Sequence, residues 1–346
     1  MITPTTPIPL IRVSGSHHDT GRQIGAACRD MLQHAVSRAR ECPPAGLTWD
    51  DMRRAARPYL AATRQALPWV VEELEGGAEG SGIDLLDLAV LATEEIWRHP
   101  LPAERCSDFA AGPPATADGG IWLAHNNDLS PASAGQIVAV EWRVADQPAL
   151  FTIGVGGLFI SVGYNDAGLS LTGNEVSPND DTIGVPRLLI VRDILAQRTA
   201  AAAIRAATRP DRASSYNNLI AHVDGTIVNV EGAATDYALL FTENGWTVHT
   251  NHYVAPTMMQ YERDPSDIGG SLARYRRARE LMETRDGPVT PAMLRRFLAD
   301  QQAGPACLCR SDGETQTVFW CIIGLSRGEI TFGRDPRETA EQRFAF

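Results

Sequence analysis

From Asp19 to about Arg40, and again from Trp49 to about Glu75, apolar positions recur every three or four residues. Ile24, Ala27, Cys28 and Leu32 mark the first stretch, and Met52, Ala56, Tyr59 and Leu60 the second. This is the period of one helix face, so both stretches predict helices. The glycines Gly76, Gly77, Gly80 and Gly82 read as a break, after which Leu85, Leu86, Leu88, Ala89, Leu91 and Ala92 predict a further helix from Asp84 to His99. At Pro102 the pattern changes to short β-type runs: Gly120 to Ala124, Ile137 to Val144, Ala149 to Ile153, Leu158 to Gly163 and Leu169 to Thr172. Val138, Val140, Trp142 and Val144 alternate with Ala139, Glu141 and Arg143, which predicts a strand with one face inward. The polar run His125-Asn126-Asn127-Asp128 reads as a turn ending the strand Ile121-Trp122-Leu123. A helix is predicted from about Pro186 to Thr208, then strands at Asn218 to His222, Thr226 to Glu231, Ala238 to Thr242 and Gly245 to Thr250. Helices at Ser271 to Thr284 and Pro291 to Gln301 and strands at Gln316 to Leu325 and Glu329 to Gly333 complete the pattern. Helices followed by strands give an α+β class, with a mainly helical segment 1–105 packed on a sheet-rich segment 106–346.

Composition supports a buried core, because 44% of the 346 residues are hydrophobic and 21% charged. Lys and Arg number 31 against 42 Asp and Glu, a net charge of −11, which repels phosphate backbones and argues against nucleic-acid binding. No window reaches the ~20 apolar residues of a membrane span, and Met1 to Ile11 lacks a basic then apolar leader, so a cytoplasmic protein is expected. Six cysteines without such a leader read as reduced thiols, any of which can be a nucleophile. Arg274, Arg276, Arg277 and Arg279 stand at helical spacing and read as a solvated face.

Several chemistries fit poorly. His249-x-x-His252 with Cys307-x-Cys309 does not have the spacing of a zinc module, Gly154-Val155-Gly156-Gly157 leads into a strand rather than a helix, and no Gly-x-Ser-x-Gly elbow occurs. No metal and no cofactor are expected.

Taken in order, the set Gly15-x5-Gly21-x3-Gly25, Arg105-Cys106-Ser107-Asp108-Phe109, Asn126-Asn127-Asp128, Val162-Gly163-Tyr164-Asn165-x-Ala167-Gly168, Val248-His249-Thr250-Asn251-His252, Leu308-Cys309-Arg310 and Phe332-Gly333-Arg334-x-Pro336 resembles the isopenicillin N acyltransferase-like (acyl-CoA:6-aminopenicillanic acid acyltransferase) family. These are N-terminal-nucleophile (Ntn) hydrolases, relatives of bile-salt and penicillin V amidases. The resemblance implies a four-layer αββα sandwich and a proenzyme that cuts itself between Arg105 and Cys106, leaving an αβ heterodimer of its own two fragments. Cys106 is then the nucleophile, and its freed amine, with an intrinsic pKa of ~7.7–8.0, the general base. Matching positions make Asp128 the residue that orients the amine or thiol, Asn251 and Asn174 oxyanion donors, and Arg310 a cation beside the thiol. His125, Tyr164 and Glu314 become candidate substrate contacts. The implied activity is hydrolysis of a small-molecule amide through a Cys106 thioester. The alternatives are acyl transfer from an acyl-CoA or amide donor to an amine, and a catalytically idle binding relative.

The chain departs from the fungal type in three places. Arg105 replaces the Gly before the cleaved bond, Asn127 replaces an aromatic residue, and Glu314 stands near a position where the fungal enzyme carries an Arg associated with the substrate carboxylate. A carboxylate there would favour an amine-bearing substrate, such as an aminoacyl or β-aminoacyl amide in natural-product metabolism.

Overall fold

In the computed structural model, residues 3, 5–97, 105–302, 304–311 and 313–346 are described. The chain opens with strand β1 (Leu10–Gly15) and five helices, α1 (His17–Ala27), α2 (Arg29–Glu41), α3 (Trp49–Ala66), α4 (Pro68–Ser81) and α5 (Leu85–Ala92). Six strands follow: β2 (Arg105–Ala111), β3 (Trp122–Leu129), β4 (Ile137–Val144), β5 (Leu150–Val155), β6 (Phe159–Asn165) and β7 (Leu169–Asn174). Helices α6 (Arg187–Leu195) and α7 (Ala200–Ala207) lead to β8 (Asn217–His222), β9 (Ile227–Gly232), β10 (Tyr237–Phe241) and β11 (Trp246–His249). The chain ends with α8 (Gly269–Glu283), α9 (Pro291–Leu298), β12 (Gln316–Gly324), β13 (Glu329–Gly333) and β14 (Gln342–Ala345).

Two sheets result, an eight-stranded one in the order β1-β4-β5-β6-β7-β8-β9-β10 and a six-stranded one in the order β11-β2-β3-β12-β13-β14. The alternation read in β4 is there, yet both of its faces are covered. Val138, Val140 and Trp142 pack on the N-terminal helices and α6. Ile137 and Ala139 join Phe151, Val162, Phe319, Ile323 and Phe332 in a core between the sheets. The outer face of the second sheet, with Phe109, Ala124 and Trp320, is closed by Ala278 and Met282 of α8 and Leu294 and Phe297 of α9. The layers are therefore helix, sheet, sheet, helix.

Several sequence expectations need correction. The predicted helix Asp19 to Arg40 is divided at Cys28, and Trp49 to Glu75 at Leu67, whose successor Pro68 starts the next helix. Pro186 to Thr208 is likewise two helices. The helix predicted from Asp84 to His99 ends at Ala92, followed by a 3-10 turn at Glu94–Ile96, and residues 98–104 lie outside the described residues. Strand β1 has no counterpart in the sequence pattern: it pairs in parallel with β4, so the segment before Cys106 supplies an edge of the larger sheet as well as helices. His125 to Asp128 is not a turn but the buried interior of β3.

The glycine run is also not a break until Gly82, the left-handed C-cap of α4. Gly76 and Gly80 face Gly21 and Gly25 of α1 at backbone contact. A β-carbon on Gly76 would lie 2.0 Å from the His18 carbonyl oxygen, and one on Gly21 2.0 Å from that of Glu73. Only glycine permits this approach. Gly76→Ala is expected to lose about 3 kcal/mol in denaturant unfolding by forcing the two helices apart. Gly269→Ala, where a β-carbon meets nothing within 4 Å, should lose nothing.

Candidate active site

Cys106 sits in β2 between β3 and β11, with Asn127 opposite it and Asp128 opposite Arg105. The strand is interior to its sheet, so Cys106 is fixed by ladder pairing and is 3% exposed. It lines a cavity of about 240 Å³ at one end of the two sheets, with Asn127 and Asn174.

Asn251, just beyond β11, accepts the Cys106 N–H on Oδ1 at 2.9 Å and a second hydrogen bond from Arg274 Nη2 at 2.8 Å. Its Nδ2 donates to the Glu175 carbonyl oxygen at 3.0 Å, so donors on one side and an acceptor on the other fix the amide orientation. The expected oxyanion donor is thus turned the other way: it presents oxygen to the Cys106 nitrogen. Asn174, at the end of β7, has the complementary orientation. Its Oδ1 accepts from Asn217 Nδ2 at 3.2 Å and lies 3.0 Å from His249 Nδ1, while its Nδ2 is buried without a partner among the described residues. Asn174 lines the same cavity as Cys106.

Asp128 is wholly buried. Thr317 Oγ1 donates to its Oδ1 at 2.7 Å and itself accepts from the Arg310 N–H at 3.0 Å. Burial pushes the Asp128 carboxyl up to about 6, against the pull of Arg274, the Thr317 hydrogen bond, Arg310 and His125. Its Oδ2 has no hydrogen-bond partner among the described residues. Arg310 therefore lies within electrostatic reach of Asp128, with its Nε on the Thr315 carbonyl oxygen at 3.2 Å.

The cation that reaches the cysteine is Arg274, although its spacing with Arg276, Arg277 and Arg279 predicts a solvated face. It is fully buried, donating through Nη1 to the Cys106 carbonyl oxygen and, at 3.1 Å, to Ser107 Oγ. Burial pushes it down to about 10, opposed by Asp128 and Cys106, which still leaves a cation at neutral pH. A signal was available: Arg274, Ala278 and Met282 recur at four-residue spacing and share the buried face of α8, whereas Arg276 and Arg279 are exposed. Arg277 lies between these extremes, half-buried and held by Asp300.

The three expected substrate contacts do not border the cavity. His125 is buried behind Asn127. Its Nδ1 lies 2.8 Å from Asp108 Oδ1 and its Nε2 3.3 Å from Asn127 Nδ2, which in turn faces Cys106 Sγ at 3.6 Å. Tyr164 belongs to the core between the sheets and donates to the Gly328 carbonyl oxygen at 3.0 Å. Glu314 is exposed in the loop before β12. The cavity is instead lined by Met31, Leu32, Leu91, Phe159, Ile160 and Leu188, with Glu94 and Glu175 as its carboxylates. Arg187 holds both carboxylates, Nε at 2.7 Å from Glu94 and Nη2 at 2.8 Å from Glu175.

The Asp128 environment predicts a conflict between stability and site chemistry. Because its folded carboxyl titrates near 6 rather than 3.8, ionisation penalises the folded state as pH rises between these values. At ~1.4 kcal/mol per unit, Asp128→Asn should gain up to about 3 kcal/mol above about pH 6 and nothing below about pH 4, read by denaturation across that range.

Comparison with known proteins agrees with this architecture. Residues 115–334 match the family described as acyl-coenzyme A:6-aminopenicillanic acid acyl-transferase. The matched span contains Asp128, Asn174, Asn251, Arg274 and Arg310 and begins after Cys106. Among solved structures, a variant of conjugated bile acid hydrolase from Clostridium perfringens is 14% identical, with a TM-score of 0.51 over 69% of this chain and 92% of its own. A second variant of that hydrolase gives 13% identity and 0.49 over 70% and 92%. Penicillin V acylase from Agrobacterium tumefaciens gives 13% and 0.39 over 66% and 83%. The first of these likenesses supports the αββα Ntn-hydrolase fold. With the matched span covering well over half its length, the chain belongs to the acyl-coenzyme A:6-aminopenicillanic acid acyl-transferase family.

Proposed function

We propose that the chain cuts itself before Cys106 and that the processed enzyme hydrolyses a small-molecule amide through a thioester on Cys106. The observation that carries this reading is the pairing, on one cavity, of Cys106 with Asn174, whose Nδ2 has no partner among the described residues, while Asn251 Oδ1 holds the Cys106 nitrogen.

In self-cleavage, Sγ attacks the Arg105 carbonyl carbon, the acyl group moves from nitrogen to sulfur, and water hydrolyses the thioester to leave an Arg105 carboxylate and a free Cys106 amine. In turnover, that amine takes the Sγ proton and the thiolate attacks the substrate carbonyl. Asn174 Nδ2 donates to the developing oxyanion, a contact worth about 3–4 kcal/mol in comparable sites. The ammonium returns its proton to the leaving amine, and water then attacks the thioester. Asn251 Oδ1 and the Asp128 carboxylate accept from the ammonium, and Arg274 supplies a fixed positive charge behind the thiolate. The family is named for acyl transfer, and the same thioester passed to an amine instead of water gives that reaction.

The cavity defines the acyl group. Its walls are largely apolar, and its described lining contains two carboxylates and no Lys, Arg or His, so an anionic acyl group is disfavoured relative to a neutral or amine-bearing one. This moves the proposed amine preference from Glu314 to the Glu94 and Glu175 end of the cavity. Met31, Leu32 and Leu91 precede the cut, so the upstream fragment remains part of the substrate site.

Intact-mass analysis should give two fragments divided before Cys106, and a single full-length species for Cys106→Ala. Uncut wild-type protein would overturn the self-processing step. Among para-nitroanilides of matched length, the hexanoyl and ω-aminohexanoyl compounds should exceed the adipoyl compound in kcat/KM by at least about tenfold, or ~1.4 kcal/mol. Glu314→Gln should leave those ratios unchanged, and a shift in them would restore Glu314 as the selecting group.

A further inference from the structure

The nucleophile and the proposed oxyanion donor come from different sheets. Cys106 is on β2 of the six-stranded sheet, and Asn174 ends β7 of the eight-stranded one. Their separation depends on whatever joins the sheets beside them, and apolar packing alone permits sliding on the scale that matters for an oxyanion contact.

His249 is the side chain that crosses at this point. It ends β11, is paired in register with Asp108 two residues from Cys106, and is 1% exposed. Its Nε2 lies 2.8 Å from Glu231 Oε1 on β9, and its Nδ1 lies 3.0 Å from Asn174 Oδ1 and 2.6 Å from the Thr250 carbonyl oxygen. All three partners are acceptors, so both ring nitrogens have somewhere to donate. Glu231 is itself fully buried, and its Oε1 and Oε2 accept the N–H groups of Val254 at 2.6 Å and Ala255 at 2.9 Å, in the segment that follows Asn251. Although burial opposes ionisation, the His249 contact and these amides hold the Glu231 carboxyl below its usual range. A second crossing runs parallel: Asn217 Nδ2 bridges Asn174 Oδ1 and Asn229 Oδ1, and Asn229 Nδ2 donates to Thr247 Oγ1 on β11 at 2.8 Å.

We infer that Glu231 and His249 are positioning residues. They form a polar clamp between the sheets that occupies the Asn174 carbonyl oxygen, points its Nδ2 into the cavity, and fixes the distance from that donor to Cys106 Sγ. The clamp touches neither substrate nor nucleophile and acts through Asn174. A buried carboxylate and imidazole at this point would otherwise be a costly way to join two apolar sheets.

The inference rests on the proposed reaction, and its test separates the two. Two probes of the processed full chain are compared: para-nitrophenyl hexanoate, whose attack by Sγ creates an oxyanion, and iodoacetamide, whose displacement at a methylene carbon creates none. Glu231→Gln and His249→Gln should each lower kcat for the ester about ten- to a hundredfold with KM within about threefold, and leave the rate of Cys106 alkylation unchanged. Asn174→Ala should behave alike, and the Asn174→Ala/Glu231→Gln double variant should be no slower than Asn174→Ala alone. Multiplying losses in the double variant, an unchanged kcat in both single variants, or alkylation slowed as much as acylation would each overturn the clamp. If Glu231→Gln does not fold, His249→Gln and its double with Asn174→Ala carry the same comparison. A wild-type Cys106 that is neither acylated nor alkylated would overturn the proposed reaction, and the clamp with it.

Discussion

A guanidinium with no solvent contact organises this site. Burying a cation costs several kcal/mol unless acceptors and an opposite charge replace water. For Arg274 the replacements are the Cys106 carbonyl oxygen, Ser107 Oγ and Asn251 Oδ1, with the Asp128 charge nearby. These come from β2, β3 and the segment after β11, so helix α8 can seat only where all of them converge. The dependence runs both ways. Asp128 is wholly buried too, and the Arg274 charge is the strongest pull restraining the upward shift of its carboxyl. The Arg274 charge thus offsets only part of the cost of burying the Asp128 carboxylate, and Cys106 lies between the elements that carry them.

The helices before Cys106 are part of this constraint, not a covering added to it. Strand β1 pairs with β4, and Ile24, Leu32, Leu74 and Leu88 share one core with Val140, Trp142 and Ile190. Backbone contact between α1 and α4 at the four glycines keeps this layer thin enough for Met31, Leu32 and Leu91 to reach the cavity. An interface of that character resembles a domain core divided in two, so a cut before Cys106 would leave the pieces associated.

How much was legible follows from the physics of each feature. Periodicity located most helices and strands, because burial on one face or both imposes it directly. It failed where tertiary partners override local chemistry. His125 to Asp128 resembles a turn because four consecutive polar groups seldom lie in a buried strand, and here Asp108, Leu298, Leu308 and Thr317 supply the partners that make it possible. The glycines of α4 resemble a break because their use, contact with α1, is made with residues some fifty positions away. Arg274 differs from its neighbours only in which side of the helix it occupies. The resemblance brought Cys106, Asp128, Asn174 and Asn251 to notice, but the direction of each amide is set by hydrogen bonds that no spacing encodes. Glu314 failed as a cavity residue because its loop is exposed and does not border the cavity.

The two asparagines show why orientation matters more than identity here. The proposed attack on an amide uses an acceptor at the Cys106 nitrogen and a donor at the developing oxyanion. Two charged groups of opposite sign set close together would pair with each other and leave neither task served. Neutral amides avoid this, because an asparagine presents oxygen or nitrogen according to what holds its far end. The Glu175 carbonyl oxygen holds the nitrogen of Asn251, which turns its oxygen to Arg274 and the Cys106 N–H. His249 and Asn217 occupy the oxygen of Asn174 and turn its nitrogen inward. The Glu231–His249 pair is thus kept behind Asn174, where it sets direction, whereas Arg274 shares the Asn251 oxygen with the Cys106 N–H and also holds the Cys106 carbonyl oxygen.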